Sequence, residues 1–407
     1  MTVKIERLDD FGRGIGYVNG KIVFIENALP DELVECKIIN DKKNYYEAKL
    51  INIISKSPKR LIPKCKYFDI CGGCQLQHLN YDDSTLYKKK KINDLFKRNE
   101  LFNEDIKFIK NENDFYYRNK IELKVINGQI GFYQSKSHDL VEINECLITK
   151  SCINNVINDV KKLNLENAFI TIRSNFNDEV LIIIDSDDDI DVDYANLIKN
   201  NKIAGIMING KTVYNESFLI ENINDMYFKV SYNSFFQVNH YICSKLFEII
   251  TDNVDKNSIV ADLYCGVGTL SLVAAKNALK VYGVEIVENA ILNAIENAKI
   301  NKVNNTYFMV GNVNKILPEI KDNIDTIIID PPRSGLDDKT RDTIIKMLPS
   351  KIIYTSCNPQ TLLRDLKILK DFYEIKEVYA LDMFSYTYHV ECVAALYRRE
   401  SKKMILN

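Results

Sequence analysis

The sequence predicts an α/β protein: a parallel sheet covered on both faces fills the C-terminal part, behind a small β-barrel and a central α+β segment. Three observations carry this. After about residue 231, apolar runs of strand length alternate with helical patterns, the rhythm of strands joined by helical crossovers. Near the start, Asn19-Gly20 sits between apolar residues, the strongest short-range hairpin signal. Between the two lie short alternating runs that suit mixed strands.

Taken in order, the barrel adds alternating stretches at 33–39 and 45–51, and Pro58 and Pro63 then mark a boundary. Residues 80–102 have a helical pattern, with Leu86, Ile92, Leu95 and Phe96 apolar and lysines between them. Strands are expected at 119–125, 129–133, 168–173 and 180–185, and the acidic stretch 185–193 reads as a solvated loop. In the C-terminal part, strands are expected at 259–263, 281–285, 307–310, 326–330, 352–356, 374–380 and 390–397. Helices fall between them at 270–278, 290–300, 338–347 and 361–369. There is no internal repeat.

Composition bounds what the chain does. Its 407 residues exceed what one core supports, and 46% hydrophobic with 27% charged residues is ordinary for a globular protein. A net charge of -2 means that any nucleic-acid contact comes from local patches, not from the overall field. No apolar run is long enough to cross a bilayer and no signal core opens the chain, so a cytoplasmic location and no membrane partner are expected. Ten cysteines in such a chain stay reduced, and three of them, Cys65, Cys71 and Cys74, fall within ten residues.

The candidate ligand site begins at Asp262-Leu263-Tyr264-Cys265-Gly266-Val267-Gly268-Thr269, which follows an apolar strand and opens a helix. Gly266 and Gly268 let backbone approach a ligand at the sheet's C-terminal edge, and Glu285 ends the next strand where a carboxylate can accept bonds from a ribose. That much suits either NAD or S-adenosylmethionine. Asp330-Pro331-Pro332-Arg333, ending a later strand, points to the second, because the prolines fix Asp330 beside a reacting group. Arg333 stands where methyltransferases acting on exocyclic amines often carry an aromatic, which argues against that chemistry. Ser356-Cys357-Asn358-Pro359 ends another strand at the same edge, placing Cys357 as a nucleophile. Glu391, in His389-Val390-Glu391-Cys392, opens the last strand as a candidate base; alone it would read as a solvated carboxylate. His389 reads equally as an assistant or as a structural histidine.

Together SFFQVN (234–239), DLYCGVGT, GVE (283–285), DPPR, SCNP and HVEC, in this order, resemble the bacterial RNA 5-methyluridine methyltransferases, most closely those modifying 23S ribosomal RNA. The resemblance implies a Rossmann-like class I methyltransferase domain from 77–108 and 233–407. It further implies an OB-like TRAM barrel over 1–57, and a central α+β iron–sulfur and RNA-binding domain from 58–76 and 109–232. S-adenosylmethionine is the implied methyl donor, with Cys357 the nucleophile, Glu391 the proton-abstracting base, and Gln237, Tyr264, Glu285 and Asp330 lining the cofactor and uracil pocket. Gln237 and Asp330 have donor and acceptor groups suited to a uracil edge. Cys65, Cys71 and Cys74 with Cys146 are the implied ligands of a [4Fe-4S] cluster, and Cys152 is the alternative fourth ligand. Lys88 to Lys91, Lys97, Arg98 and Arg118 are candidates for RNA contacts, a solvated helix face being the other reading of the lysines. The implied partner is RNA, 23S ribosomal RNA first, met as a monomer. Transfer RNA is the alternative target, and a non-catalytic RNA-binding iron–sulfur assembly factor is the alternative function.

Overall fold

The structure, a computed structural model, describes residues 1–187 and 194–400; most of the acidic loop expected at 185–193 lies outside them. The N-terminal unit is one bent sheet of β1 (Thr2–Lys4), β2 (Arg7–Leu8), β3 (Gly14–Val18), β4 (Lys21–Ile25), β5 (Leu33–Asp41) and β6 (Tyr45–Ser55). Its order is β1-β5-β6-β4-β3-β2. Asn19 and Gly20 both take positive φ, the backbone a tight turn matching the twist of β3 and β4 requires. Inside lie Val3, Ile5, Val23, Ile25, Val34, Cys36 and Ala48.

Next come α1 (Tyr81–Arg98) and the short β7 (Lys107–Ile109). Asn80 caps α1 by accepting from the Asp83 amide, and the acidic residues Asp82 and Asp83 suit the positive end of the helix. The central unit holds β8 (Lys120–Ile126), β9 (Gln129–Tyr133), β10 (Leu140–Glu142), α2 (Ser151–Val160), β11 (Ala168–Ser174), β12 (Val180–Asp185), α3 (Ala195–Asn200), β13 (Ile203–Ile208) and β14 (Lys211–Asn215). Its seven strands run β10-β9-β8-β11-β12-β13-β14. The continuous apolar run of β12 is buried on both faces, by α2 and α3 on one side and by the ribbon β15 (Phe218–Ile223) with β16 (Met226–Ser231) on the other.

The C-terminal part is α4 (His240–Asn253), β17 (Ile259–Leu263), α5 (Thr269–Ala274), β18 (Lys280–Glu285), α6 (Glu288–Ile300), β19 (Thr306–Val310), α7 (Val313–Ile316), β20 (Thr326–Ile329), α8 (Asp338–Met347), β21 (Lys351–Ser356), α9 (Pro359–Leu369), β22 (Tyr373–Leu381) and β23 (Glu391–Arg398). The sheet order is β19-β18-β17-β20-β21-β23-β22-β7. The expected parallel sheet is corrected at one end: β19 to β21 are parallel, but β23 runs antiparallel to both β21 and β22. Helices cover both faces. Ile92, Leu95 and Phe96 of α1 join α8 and α9 on one, while α4, α5 and the ribbon β15–β16 pack on the other. The helix expected to run to 278 stops at Ala274, and Leu86, expected on the apolar stripe of α1, is 57% exposed. Among the described residues no helix is long and apolar enough to cross a membrane.

Candidate active site

The turn after β17 is held in conformations that side chains resist. Tyr264, Gly266 and Gly268 all have positive φ, at 64°, 53° and 81°. A Cβ on Gly268 would lie 2.9 Å from Ala294 and 3.0 Å from Phe308, so this glycine seats the turn against α6 and β19. At Gly266 a Cβ would meet nothing within 4 Å, because that side opens on the crevice. The Glu285 carboxylate closes the turn, accepting from the amides of Gly266 (3.2 Å), Ile286 (2.8 Å) and Val287 (2.9 Å). The half-buried Tyr264 lines the cavity beside this turn.

Asp262 opens the motif but has no role assigned from sequence, although a carboxylate inside the apolar strand IVADL is a signal. It is fully buried; Oδ2 accepts from Ser271 Oγ at 2.5 Å and Oδ1 has no partner. Burial pushes its carboxyl up to about 7, and the charges of Asp330 and Glu285 push the same way against the Ser271 bond.

Cys357 follows β21 and precedes the cap of α9, where Asn358 accepts from the Gln360 amide and Pro359 begins the helix. Ser356 pairs with Cys392 across the antiparallel β21–β23 ladder, so continuing that register sets Cys357 opposite Glu391. The loops are tied together: Asn358 Nδ2 donates to the Arg333 carbonyl at 3.0 Å and Thr361 Oγ1 donates to it at 3.2 Å. Burial pushes the Cys357 thiol up and the charge of Glu391 adds to this, while a hydrogen bond from the Arg333 side chain pulls it down. Glu391 is 4% exposed, and burial drives its carboxyl well above the usual range, helped by Asp330 and opposed by Arg333. Burial also raises Asp330. A thiol and two carboxyls thus meet in a partly buried corner with the exposed Arg333 beside them, where proton positions respond to any bound charge.

Cys357, Glu391, Asp330, Arg333, Tyr264, Gly266, Glu285 and Gln237 all line one cavity of about 1180 Å³. Gln237 is brought there by the central unit, since Asn119 Nδ2 donates to its carbonyl at 3.2 Å and the Asn119 amide donates to that of Val238 at 2.9 Å. Cys65, Cys71, Cys74 and Cys146 line the same cavity as free thiols. Burial raises Cys71 to about 11, and the neighbouring thiols add to it. Cys152 is elsewhere: it packs with the α2 core and its thiol meets Asp178 at 3.5 Å, so it does not join the other three. Among the described residues no three His, Cys, Asp or Glu side chains converge as they would on a bound metal ion. The four soft thiol donors, with the harder Glu145 carboxylate beside them, would still suit an iron–sulfur cluster.

The lysine expectation is corrected. Lys88 is fully buried and ion-paired with Asp382 at 2.5 Å, Lys91 donates to the Asp10 and Tyr388 carbonyls, and Lys89 pairs with Asp105. Lys88 and Lys91 hold the fold together instead of facing solvent, the Lys89–Asp105 pair lies at the surface, and Lys90, Lys97 and Arg98 are exposed. Arg118 lines the cavity, anchored by its Nε donating to the Lys120 carbonyl at 2.8 Å. Burial lowers His389 to about 4, with the charges of Arg333 and Lys91 adding, and its ring lies 4.1 Å from that of Tyr388.

Comparison with known proteins adds independent information. The family described as tRNA (uracil-5-)-methyltransferase matches residues 80–399, and the TRAM domain matches residues 1–51. An uncharacterised RNA methyltransferase of Halalkalibacterium halodurans is 34% identical over 441 aligned positions, covering 97% of this chain and 96% of that protein. One from Clostridium acetobutylicum is also 34% identical and covers 96% of each. The crystal structure of Pyrococcus abyssi tRNA (uracil-54, C5)-methyltransferase in complex with S-adenosyl-L-homocysteine superposes with a TM-score of 0.82 at 28% identity, over 97% of this chain and 100% of that one.

Proposed function

The chain belongs to the uracil-5-methyltransferase family of RNA-modifying enzymes, and from that premise we propose that it methylates carbon 5 of a uridine in RNA through a covalent bond to Cys357. The observation that carries this is that Cys357 and a buried Glu391, each one residue beyond the Ser356–Cys392 pair, line the same cavity. Carbon 5 of uracil is a poor nucleophile. The Cys357 thiolate adds to carbon 6, and the electron pair moves into an enolate. Carbon 5 then takes the methyl group of S-adenosylmethionine, whose methyl–sulfur bond breaks to leave a neutral thioether. Glu391 removes the carbon 5 proton, the ring double bond re-forms, and the Cys357–carbon 6 bond breaks to release thiolate. Gly266, Gly268, Tyr264 and Glu285 form the donor's site. Asp330 and Gln237 hold the reacting ends of donor and uracil.

RNA carrying 5-fluorouridine tests this, because fluorine in place of the carbon 5 proton blocks release. A denaturation-resistant protein–RNA adduct is expected with the native enzyme and none with Cys357→Ala. Methyl transfer surviving Cys357→Ala would overturn the covalent route.

The four thiols of Cys65, Cys71, Cys74 and Cys146 are the proposed ligands of a [4Fe-4S] cluster. Methyl transfer needs no electron, so the cluster would order the central unit and its RNA-facing wall. The target we favour is 23S ribosomal RNA, on the combined barrel and cysteine set. Transfer RNA is the second reading, favoured by the stated substrate of the Pyrococcus enzyme. Mass-spectrometric mapping of 5-methyluridine in both RNAs, with and without the gene, separates them.

A further inference from the structure

Between β22 and β23 the chain leaves the sheet at Asp382 and returns at Glu391. A connection of this length inherits little from the two strands, yet it brings Phe384 to the cavity wall and leads into Glu391, which also lines the cavity and pairs with Leu381 at the end of the β22–β23 ladder. Its carbonyls are claimed almost one by one from outside the sheet. Lys88 Nζ donates to the carbonyl of Phe384 at 2.9 Å, and the Tyr117 hydroxyl donates to that of Ser385 at 3.1 Å. The amides of Gln75 and Leu76 donate to Tyr386 at 3.0 and 2.9 Å, and Lys91 Nζ donates to Tyr388 at 2.7 Å. Lys88 and Lys91, three residues apart, lie on one face of α1.

The entry to the connection is fastened hardest. The two oxygens of Asp382 accept from Lys88 Nζ (2.5 Å), the Tyr81 hydroxyl (2.6 Å) and Ser385 Oγ (2.8 Å), and Lys88 and Asp382 have side-chain exposures of 0% and 1%. Burying a whole lysine with its partner is costly, and apolar residues of similar size often serve stability as well. An ion pair that also bonds one carbonyl of the loop gives what apolar packing does not, a fixed direction.

Resting on the covalent mechanism proposed above, we infer that the Lys88–Asp382 pair is a positioning device for the proton-abstracting step: it sets the 382–390 connection so that Glu391 faces the carbon 5 proton of the bound uracil. Lys88 and Asp382 touch neither substrate nor Cys357; they act through Glu391.

The test reads the step that depends on Glu391. In Lys88→Met and Asp382→Asn, addition and methyl transfer proceed while release slows, so a methylated, denaturation-resistant adduct accumulates on ordinary uridine RNA. The turnover number falls by about tenfold or more, below the full contribution of a general base, while KM for the methyl donor stays within about twofold. Folded variants that turn over like the native enzyme without adduct overturn the inference, and so does an equal loss in donor binding. Should Lys88→Met fail to fold, Tyr81→Phe removes one bond from the same carboxylate; it is expected to accumulate adduct to a smaller extent, and none overturns the inference. Native enzyme on 5-fluorouridine RNA keeps the two claims apart. No adduct there sinks the covalent mechanism itself, whereas adduct there with native-like variants sinks only the positioning role.

Discussion

Cys357 and Glu391 are pushed in the same direction by burial; the charge of Glu391 pushes Cys357 further, and that of Asp330 pushes Glu391 further. The consequence for rate has a definite sign. A thiol with a raised pKa is less ionised at neutral pH, and a carboxyl with a raised pKa loses its basic form as pH falls through that raised value. Both losses lie on the acid side, so kcat/KM should climb with pH through the neutral range, with a slope of about +1 where one group titrates and up to about +2 where both do. A pH–rate profile flat from roughly pH 6 to 9 would contradict this. Arg333 opposes the rise at both groups, so Arg333→Met should move the limb to higher pH without abolishing activity. Glu391→Gln keeps the proposed nucleophile and removes the proposed base. It should lower turnover by about 10² to 10⁴-fold and trap adduct on uridine RNA, seen as a band that resists denaturation.

Elements place these groups, and two of them separate binding from folding. Gly266 opens on the crevice while Gly268 is wedged against Ala294 and Phe308, though both have positive φ. Gly266→Ala should cost about 1–2 kcal/mol of stability from the backbone alone and weaken binding of the methyl donor further, read by calorimetric titration. Gly268→Ala adds overpacking of about 1–3 kcal/mol and should lower the melting temperature more. The cysteine segment offers a parallel contrast. Cys146 lines the cavity with Cys65, Cys71 and Cys74, whereas Cys152 sits in the first turn of α2 with its thiol against Asp178. If the four thiols bind a cluster, Cys146→Ser loses iron and the visible absorbance of the purified protein, and Cys152→Ser retains both; iron analysis decides it.

At the scale of the molecule, the C-terminal sheet is not made from the C-terminal chain alone. Its edge strand β7 and the helix α1 come from before the central unit, and Ile92, Leu95 and Phe96 of α1 are buried in its core. Burying three such side chains is worth roughly 5–9 kcal/mol as an upper figure, comparable to the whole stability of a domain. A fragment beginning at residue 233 should therefore bind hydrophobic dye and aggregate, and supplying residues 77–112 should restore a cooperative melt. A cooperative, dye-free fragment lacking them would show that this core closes without α1. The barrel is joined to the same assembly: the Tyr87 hydroxyl donates to the Asp9 carbonyl at 2.6 Å, and Phe11 meets Tyr388 edge-on at 5.4 Å.

Short-range pattern was enough for the barrel hairpin at Asn19-Gly20, for the β17 turn with Gly266 and Gly268, and for Cys357 before its proline, because each is a backbone requirement written within a few residues. The same holds for most strands, whose apolar runs matched their ends to within a residue or so. Tertiary structure decided what depends on distant partners. Lys88 and Lys91 have the spacing of a solvated stripe, and only the fold shows that a carboxylate and carbonyls nearly 300 residues away bury them. The three-residue β7 has no periodicity to read and exists because β22 offers it an edge. Glu391 alone looks like a solvated strand end, and Cys146 alone does not differ from Cys152. Their surroundings come from chain segments remote in sequence, and local propensity carries no record of which segments will meet.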